Sequence, residues 1–135
     1  MLRFNSDHKF KIMQIADTQE IPAVSPDTLS LINNALDREK PDLVIFTGDQ
    51  IKGYSKKFKK DPVIIESTID ILVEPIAKRN IPFMVTYGNH DAQCGVDNRG
   101  QYKFYAKYDN FISGDLRNSD DVGTADIQIY SSTED

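Results

Sequence analysis

The chain has 135 residues, of which 39% are apolar and 27% charged, with a formal net charge of −5. That is the balance of one small globular domain, of a size that buries roughly two-thirds of its unfolded surface. The acidic excess argues against nonspecific adhesion to nucleic acid or to an anionic membrane. A single cysteine, Cys94, leaves no internal disulfide to form and fits a reducing compartment. The start "MLRFNSDHKFKIMQ" has no apolar core behind its basic residue, and no segment reaches the ~20 apolar residues of a membrane span. A cytoplasmic location is the default expectation.

In chain order, "FKIMQIA" at 10–16 reads as a strand. "AVSPDTLSLINNALDREKPD" then reads as a loop and a helix, with Ser25 or Asp27 as N-cap and Pro26 in the first turn. Leu29, Ile32 and Leu36 share one helical face, and Pro41 stops the helix. "DLVIFTGD" is a short continuous apolar run, the pattern of a buried parallel strand. A polar, basic loop follows, "QIKGYSKKFKKD". Residues 62–80 predict a second helix on Ile65, Ile69, Leu72 and Ile76, with Pro75 forcing a kink or an early end. "IPFMVTYG" predicts the third strand. This alternation yields a parallel sheet with right-handed crossovers. Beyond Asp91, "AQCGVDNRGQ" reads as a loop and "YKFYAKYDNFI" as an aromatic-rich helix. "SGDLRNSDDVGT" reads as a polar stretch, and "ADIQIYSS" as an antiparallel or edge strand.

Three apolar runs end on polar side chains able to ligate a metal or move a proton. The first ends on Asp17, the second on Gly48-Asp49, and the third on Gly88-Asn89-His90-Asp91. Functional groups of a parallel sheet gather at the carboxyl ends of its strands. Carboxylate, carboxamide and imidazole together suit Mn²⁺, Fe²⁺, Zn²⁺ or Mg²⁺.

"ADTQ", "TGDQ" and "YGNHD" resemble the successive motifs of the calcineurin-like metallophosphoesterases, the superfamily that includes the purple acid phosphatases. The resemblance runs over nearly the whole chain in order and spacing. It implies an α/β fold, a parallel-rich sheet with flanking helices that forms half of a four-layer αββα sandwich. The implied activity is metal-dependent hydrolysis of phosphate esters at two divalent ions, Mn, Fe, Zn or Mg. By position, Asp17 and Gln19 fall to the first metal, Asp49 to the bridge and Asn89 to the second metal. His90 stabilises the transition state or protonates the leaving oxygen, and Asp91 orients His90.

Two departures from the family pattern matter. Gln19 stands where the family has histidine, which leaves the first metal site weak, selective for Mn²⁺ or Mg²⁺, or vacant. The family also draws histidines from a C-terminal half, whereas only His8 and His90 occur here. Residues 1–135 therefore resemble the N-terminal part of such a domain, incomplete and weakly active or inactive alone. The alternative is a non-catalytic module that binds a partner or a phosphate ligand. An uncovered sheet face also predicts self-association. Lys56, Lys57, Lys59 and Lys60 read as a solvated face or as an attractor of anionic substrate.

Overall fold

The computed structural model describes residues 1–116 and 121–133. Strand β1 (Leu2–Arg3) precedes β2 (Ile12–Ile15), helix α1 (Pro26–Glu39), β3 (Leu43–Phe46), α2 (Pro62–Ala77) and β4 (Phe83–Val85). Helix α3 (Asn98–Ala106) follows, then β5 (Asp115–Leu116), β6 (Ala125–Asp126) and β7 (Ile129–Tyr130). The three strands of the expected alternation form one parallel sheet in the order β2-β3-β4. Two right-handed crossovers stepping the same way put α1 and α2 on one face, where they pack on each other.

Each strand shows why it lies where it does. β3 is the centre of the sheet, and its Leu43, Val44 and Phe46 are fully buried, as a continuous apolar run requires. β2 alternates between exposed and half-buried residues, so only Met13 and Ile15 reach the core. Its outer edge has no strand partner among the described residues, whereas β4 is covered by the segment at 110–112.

Both long helices begin on proline, whose missing N–H is no loss in a first turn. Asp61 caps α2 by accepting from Val63 N–H at 2.9 Å. Ser25 occupies the N-cap of α1 without a side-chain bond, and Glu20, buried nearby, accepts instead from Ser25 N–H and the Thr28 hydroxyl. Lys40, with φ of 46°, turns the chain left-handed before Pro41. Ile65, Ile69, Leu72 and Ile76 are buried along α2, as their spacing predicts. The helix runs two residues past Pro75 and ends at Ala77, three residues short of the expected Asn80, which takes left-handed backbone with φ of 51°. Arg79 fastens that end to α1, donating to Asn33 Oδ1 at 2.9 Å and to Asp37 Oδ1 at 2.9 Å.

The C-terminal third departs from the sequence reading. The aromatic helix expected over 102–112 spans Asn98–Ala106, because Asp97 caps it by accepting from Gly100 N–H at 2.8 Å. The expected strand at 125–132 is two short pieces with different partners. β6 pairs antiparallel with β5, and β7 pairs parallel with β1. Part of the polar stretch, 117–120, lies outside the described residues. No helix is long and apolar enough to cross a membrane among the described residues.

Candidate metal centre

Three loops leave the carboxyl ends of β2, β3 and β4 and are laced together by backbone. Past β2, Asp17 N–H donates to Gly48 O at 3.0 Å, Gln19 N–H to Asp49 O at 2.9 Å and Glu20 N–H to Gln50 O at 3.1 Å. These bonds need sharp turns, and Asp17, Gln19 and Asp49 all take left-handed backbone, with φ of 55°, 42° and 52°. Aspartate tolerates that region through local hydrogen bonding, whereas glutamine adopts it at a cost of about 1 kcal/mol. The loops after β3 and β4 nearly touch. A Cβ on Gly88 would lie 2.1 Å from Asp49 Oδ1, so only glycine admits this approach.

Asp91 holds the two loops in place. It is fully buried, and its carboxylate accepts from Asp49 N–H at 2.7 Å, Gly88 N–H at 2.8 Å and Ile51 N–H at 3.3 Å. Burial raises its pKa above the ordinary carboxylate value, against the pull of those three N–H donors; the Asp49 charge adds a smaller push upward. Gln50, also buried, accepts from Gly48 N–H at 2.6 Å and donates to Thr86 O at 3.1 Å, a second peg between the loops. Gln50 closes the "TGDQ" stretch, yet nothing in that stretch assigned it a role in joining the loops.

Asp49 is positioned from both sides. Its Oδ1 accepts from His90 N–H at 2.9 Å, and its Oδ2 has no hydrogen-bond partner among the described residues. Asp17 and Asn89 are exposed, and Gln19 and His90 are half-buried. The backbone lacing brings the turns that carry Asp17, Gln19, Asp49 and Asn89 to one end of the sheet.

The expected contact between Asp91 and the His90 ring is not made. The Asp91 carboxylate faces backbone N–H groups, and His90 Nδ1 meets Gln93 Oε1 at 2.8 Å. With a carboxamide oxygen as acceptor, Nδ1 carries the proton and Nε2 is left for other work. Tyr54 packs edge-on against the ring at 4.9 Å. Both partners come from loops whose sequence reads only as polar, although Gln93 stands three residues on from His90, one tight turn away.

The calcineurin-like phosphoesterase family model matches residues 10–132, which takes in all three strand-end loops. The chain belongs to the calcineurin-like phosphoesterase family. Among relatives in this family, it is 28% identical over 128 residues to the probable inactive purple acid phosphatase 14 of Arabidopsis thaliana, covering 83% of this chain and 31% of that protein. Phosphatase DCR2 of Saccharomyces cerevisiae is 33% identical over 105 residues, covering 67% and 17%. An uncharacterized metallophosphoesterase of Aquifex aeolicus is 28% identical over 91 residues, covering 66% and 31%. The chain thus spans less than a third of the length of these relatives. A solved crystal structure superposes with a TM-score of 0.54 at 17% identity, over 78% of this chain and 46% of that one, which supports the fold alone.

The donors present fit a phosphoesterase's metal only in part. Asp17, Gln19, Asp49 and Asn89 offer oxygen atoms alone, which suits a hard divalent cation. Among the described residues, no group of three or more His, Cys, Asp or Glu side chains is arranged to hold an ion. Two ions need more ligands than this set provides.

Proposed function

We propose that this chain supplies the first metal-binding half of a phosphoester hydrolase centre, and that a complete centre hydrolyses phosphate esters with a divalent cation. The observation that carries the reading is Asp49 Oδ2, without a hydrogen-bond partner among the described residues, on a carboxylate whose other oxygen is pinned by His90 N–H. A carboxylate held at one oxygen and open at the other is preorganised to ligate without reorganising.

In this reading Asp17, Asp49 and Asn89 hold the cation, and Gln19 assists with a neutral oxygen. A divalent cation, when bound there, would supply Lewis-acid polarisation. Asp91 is a positioning residue that fixes the Asp49 and Gly88 amides. His90, with Nδ1 engaged by Gln93, presents Nε2 for a hydrogen bond to a phosphoryl or leaving oxygen. The β2 edge, with Ile12 49% exposed, supports the accompanying reading that copies of the chain associate.

Hydrolysis of p-nitrophenyl phosphate or its bis-ester with added Mn²⁺ tests the assignment, using a polypeptide that carries this chain together with the rest of the family's domain. Asp49→Ala is expected to lower the rate by more than about 100-fold. Equal rates in variant and parent dismiss the reading. The 135 residues alone are expected to turn over little or nothing.

A non-catalytic module is the second reading. Gln19, in place of the family's histidine, favours it, as does the name of the Arabidopsis relative as a probable inactive phosphatase. Loss of Mn²⁺ dependence with retained phosphate binding distinguishes it.

A further inference from the structure

Beside His90 lies a cavity of about 360 Å³ walled by Tyr54, Ser55, Lys56, Lys59, Lys60 and Gln93, with Cys94 at its floor. We propose that it is a subsite for a second anionic group, so that the substrate class is a phosphate ester carrying a further phosphate or carboxylate. This deepens the proposed function and rests on it.

The charge distribution is the first support. Of the six lysines outside residues 52–60, four are paired: Lys9, Lys11, Lys78 and Lys107 each lie within 4.0 Å of a carboxylate. Lys52, Lys56, Lys57, Lys59 and Lys60 make no such pair among the described residues, in a chain whose net charge is −5. Five unpaired cations within nine positions repel one another, and a bound anion relieves that repulsion.

The second support is that the backbone carrying the lysines is held in one shape. Phe58 is buried to 1% and anchors the turn, and Lys59 and Lys60 both take left-handed backbone, with φ of 54° and 50°. Two successive left-handed residues without glycine are disfavoured, and this turn holds them against that preference. Lys59 N–H donates to Lys56 O at 3.1 Å, and Asp61 N–H donates to Phe58 O at 2.9 Å. The Lys60 stem crosses Gly95, where a Cβ would sit 3.3 Å from its Cβ and Cγ. The stem is thereby packed, and Lys60 is one of the residues that line the cavity.

The third support is continuity with the strand-end site. Gln93 lines the cavity and holds His90 Nδ1, and Tyr54 lines it and packs on the His90 ring. Gly53 seals the join, since a Cβ there would lie 2.0 Å from His90 O. In the proposed arrangement, an ester whose phosphorus sits at Asp49 and His90 extends its second anionic group toward this cavity.

Calorimetric titration of the chain with inorganic pyrophosphate, in metal-free low-salt buffer, tests the subsite. One saturable site is expected, weakened about tenfold in Lys56→Gln/Lys60→Gln and weakened further by added KCl. Lys56→Arg/Lys60→Arg is expected to bind like the parent, and Lys9→Gln, at the opposite end of β2, is expected to change nothing. Circular dichroism establishes that the variants are folded. Absent binding, or equal affinity in parent and double glutamine variant, overturns the subsite. Binding lost in Asp49→Asn but kept in the double glutamine variant also overturns it, while leaving the strand-end site standing. Pyrophosphate binding that survives Asp49→Asn, together with unaffected ester hydrolysis in Asp49→Ala, would keep the subsite and remove the hydrolase reading.

Discussion

The loops after β3 and β4 and the loop after β2 carry aspartates in similar sequence settings, yet they are built differently. In the first pair, Asp49 and Asp91 are buried or nearly so and bond across the loops. In the second, Asp17 is exposed, and its loop leans on the Asp49 loop through backbone bonds and the Thr18 hydroxyl, with no bond from the Asp17 side chain among the described residues. An aspartate that ends a strand can therefore serve the scaffold or serve the solvent-facing site, and which it does depends on where the backbone donors point.

Substitutions break that contrast most sharply at Asp91. Three N–H groups share two carboxylate oxygens, and a carboxamide leaves one acceptor and turns its own N–H toward those donors. Asp91→Asn is expected to lose about 3 kcal/mol of stability in urea unfolding. The loss should depend on pH with a definite sign. Burial raises the folded-state pKa of Asp91 above its unfolded value. The native chain therefore holds the proton where the unfolded chain has released it, and stability declines as pH rises through that window. The gap between parent and Asp91→Asn should be widest below the unfolded-state pKa of about 4 and narrow as pH rises above it. A gap that widens with pH would reverse the assignment.

A smaller effect is expected at Gly88. The added methyl of Gly88→Ala overlaps Asp49 Oδ1, so the carboxylate must move or the two loops must part. About 2 kcal/mol of destabilisation should follow, measured by the same unfolding transition. At the bottom of the scale, Asp17→Asn is expected to stay within about 0.5 kcal/mol of the parent, as an exposed side chain without a scaffold role should. Comparable losses at Asp17 and Asp91 would erase the distinction between the two regions.

Much of the fold was legible because it rests on local signals. Pro26 and Pro62 mark the two helix starts, and the apolar run at Leu43–Phe46 marks the central strand. The start of α3 was hidden, because Asp97 sits in a glycine-rich segment that reads as loop until its bond to Gly100 N–H is known. The strand pieces β5, β6 and β7 are two residues each, too short for any period to declare a partner.

The site was legible in its residues and less so in its wiring. Adjacency suggested that Asp91 serves His90, whereas a tight turn at 91–94 carries Gln93 to the ring and leaves Asp91 facing inward. No one-dimensional pattern reports that Asp49 and Ile51 turn their N–H groups toward a carboxylate some forty residues on, because Asp49 itself joins Gly48 at positive φ in that turn.

Paramagnetic broadening by Mn²⁺ in an amide-resolved NMR spectrum tests most directly whether the loops after β2, β3 and β4 serve one cation. At sub-stoichiometric Mn²⁺, the signals of residues 16–20, 47–51 and 87–91 should vanish together, and Asp49→Asn should restore them at the same concentration. Broadening confined to one of these loops, or centred on other carboxylates such as Asp7 and Asp42, would contradict the shared site.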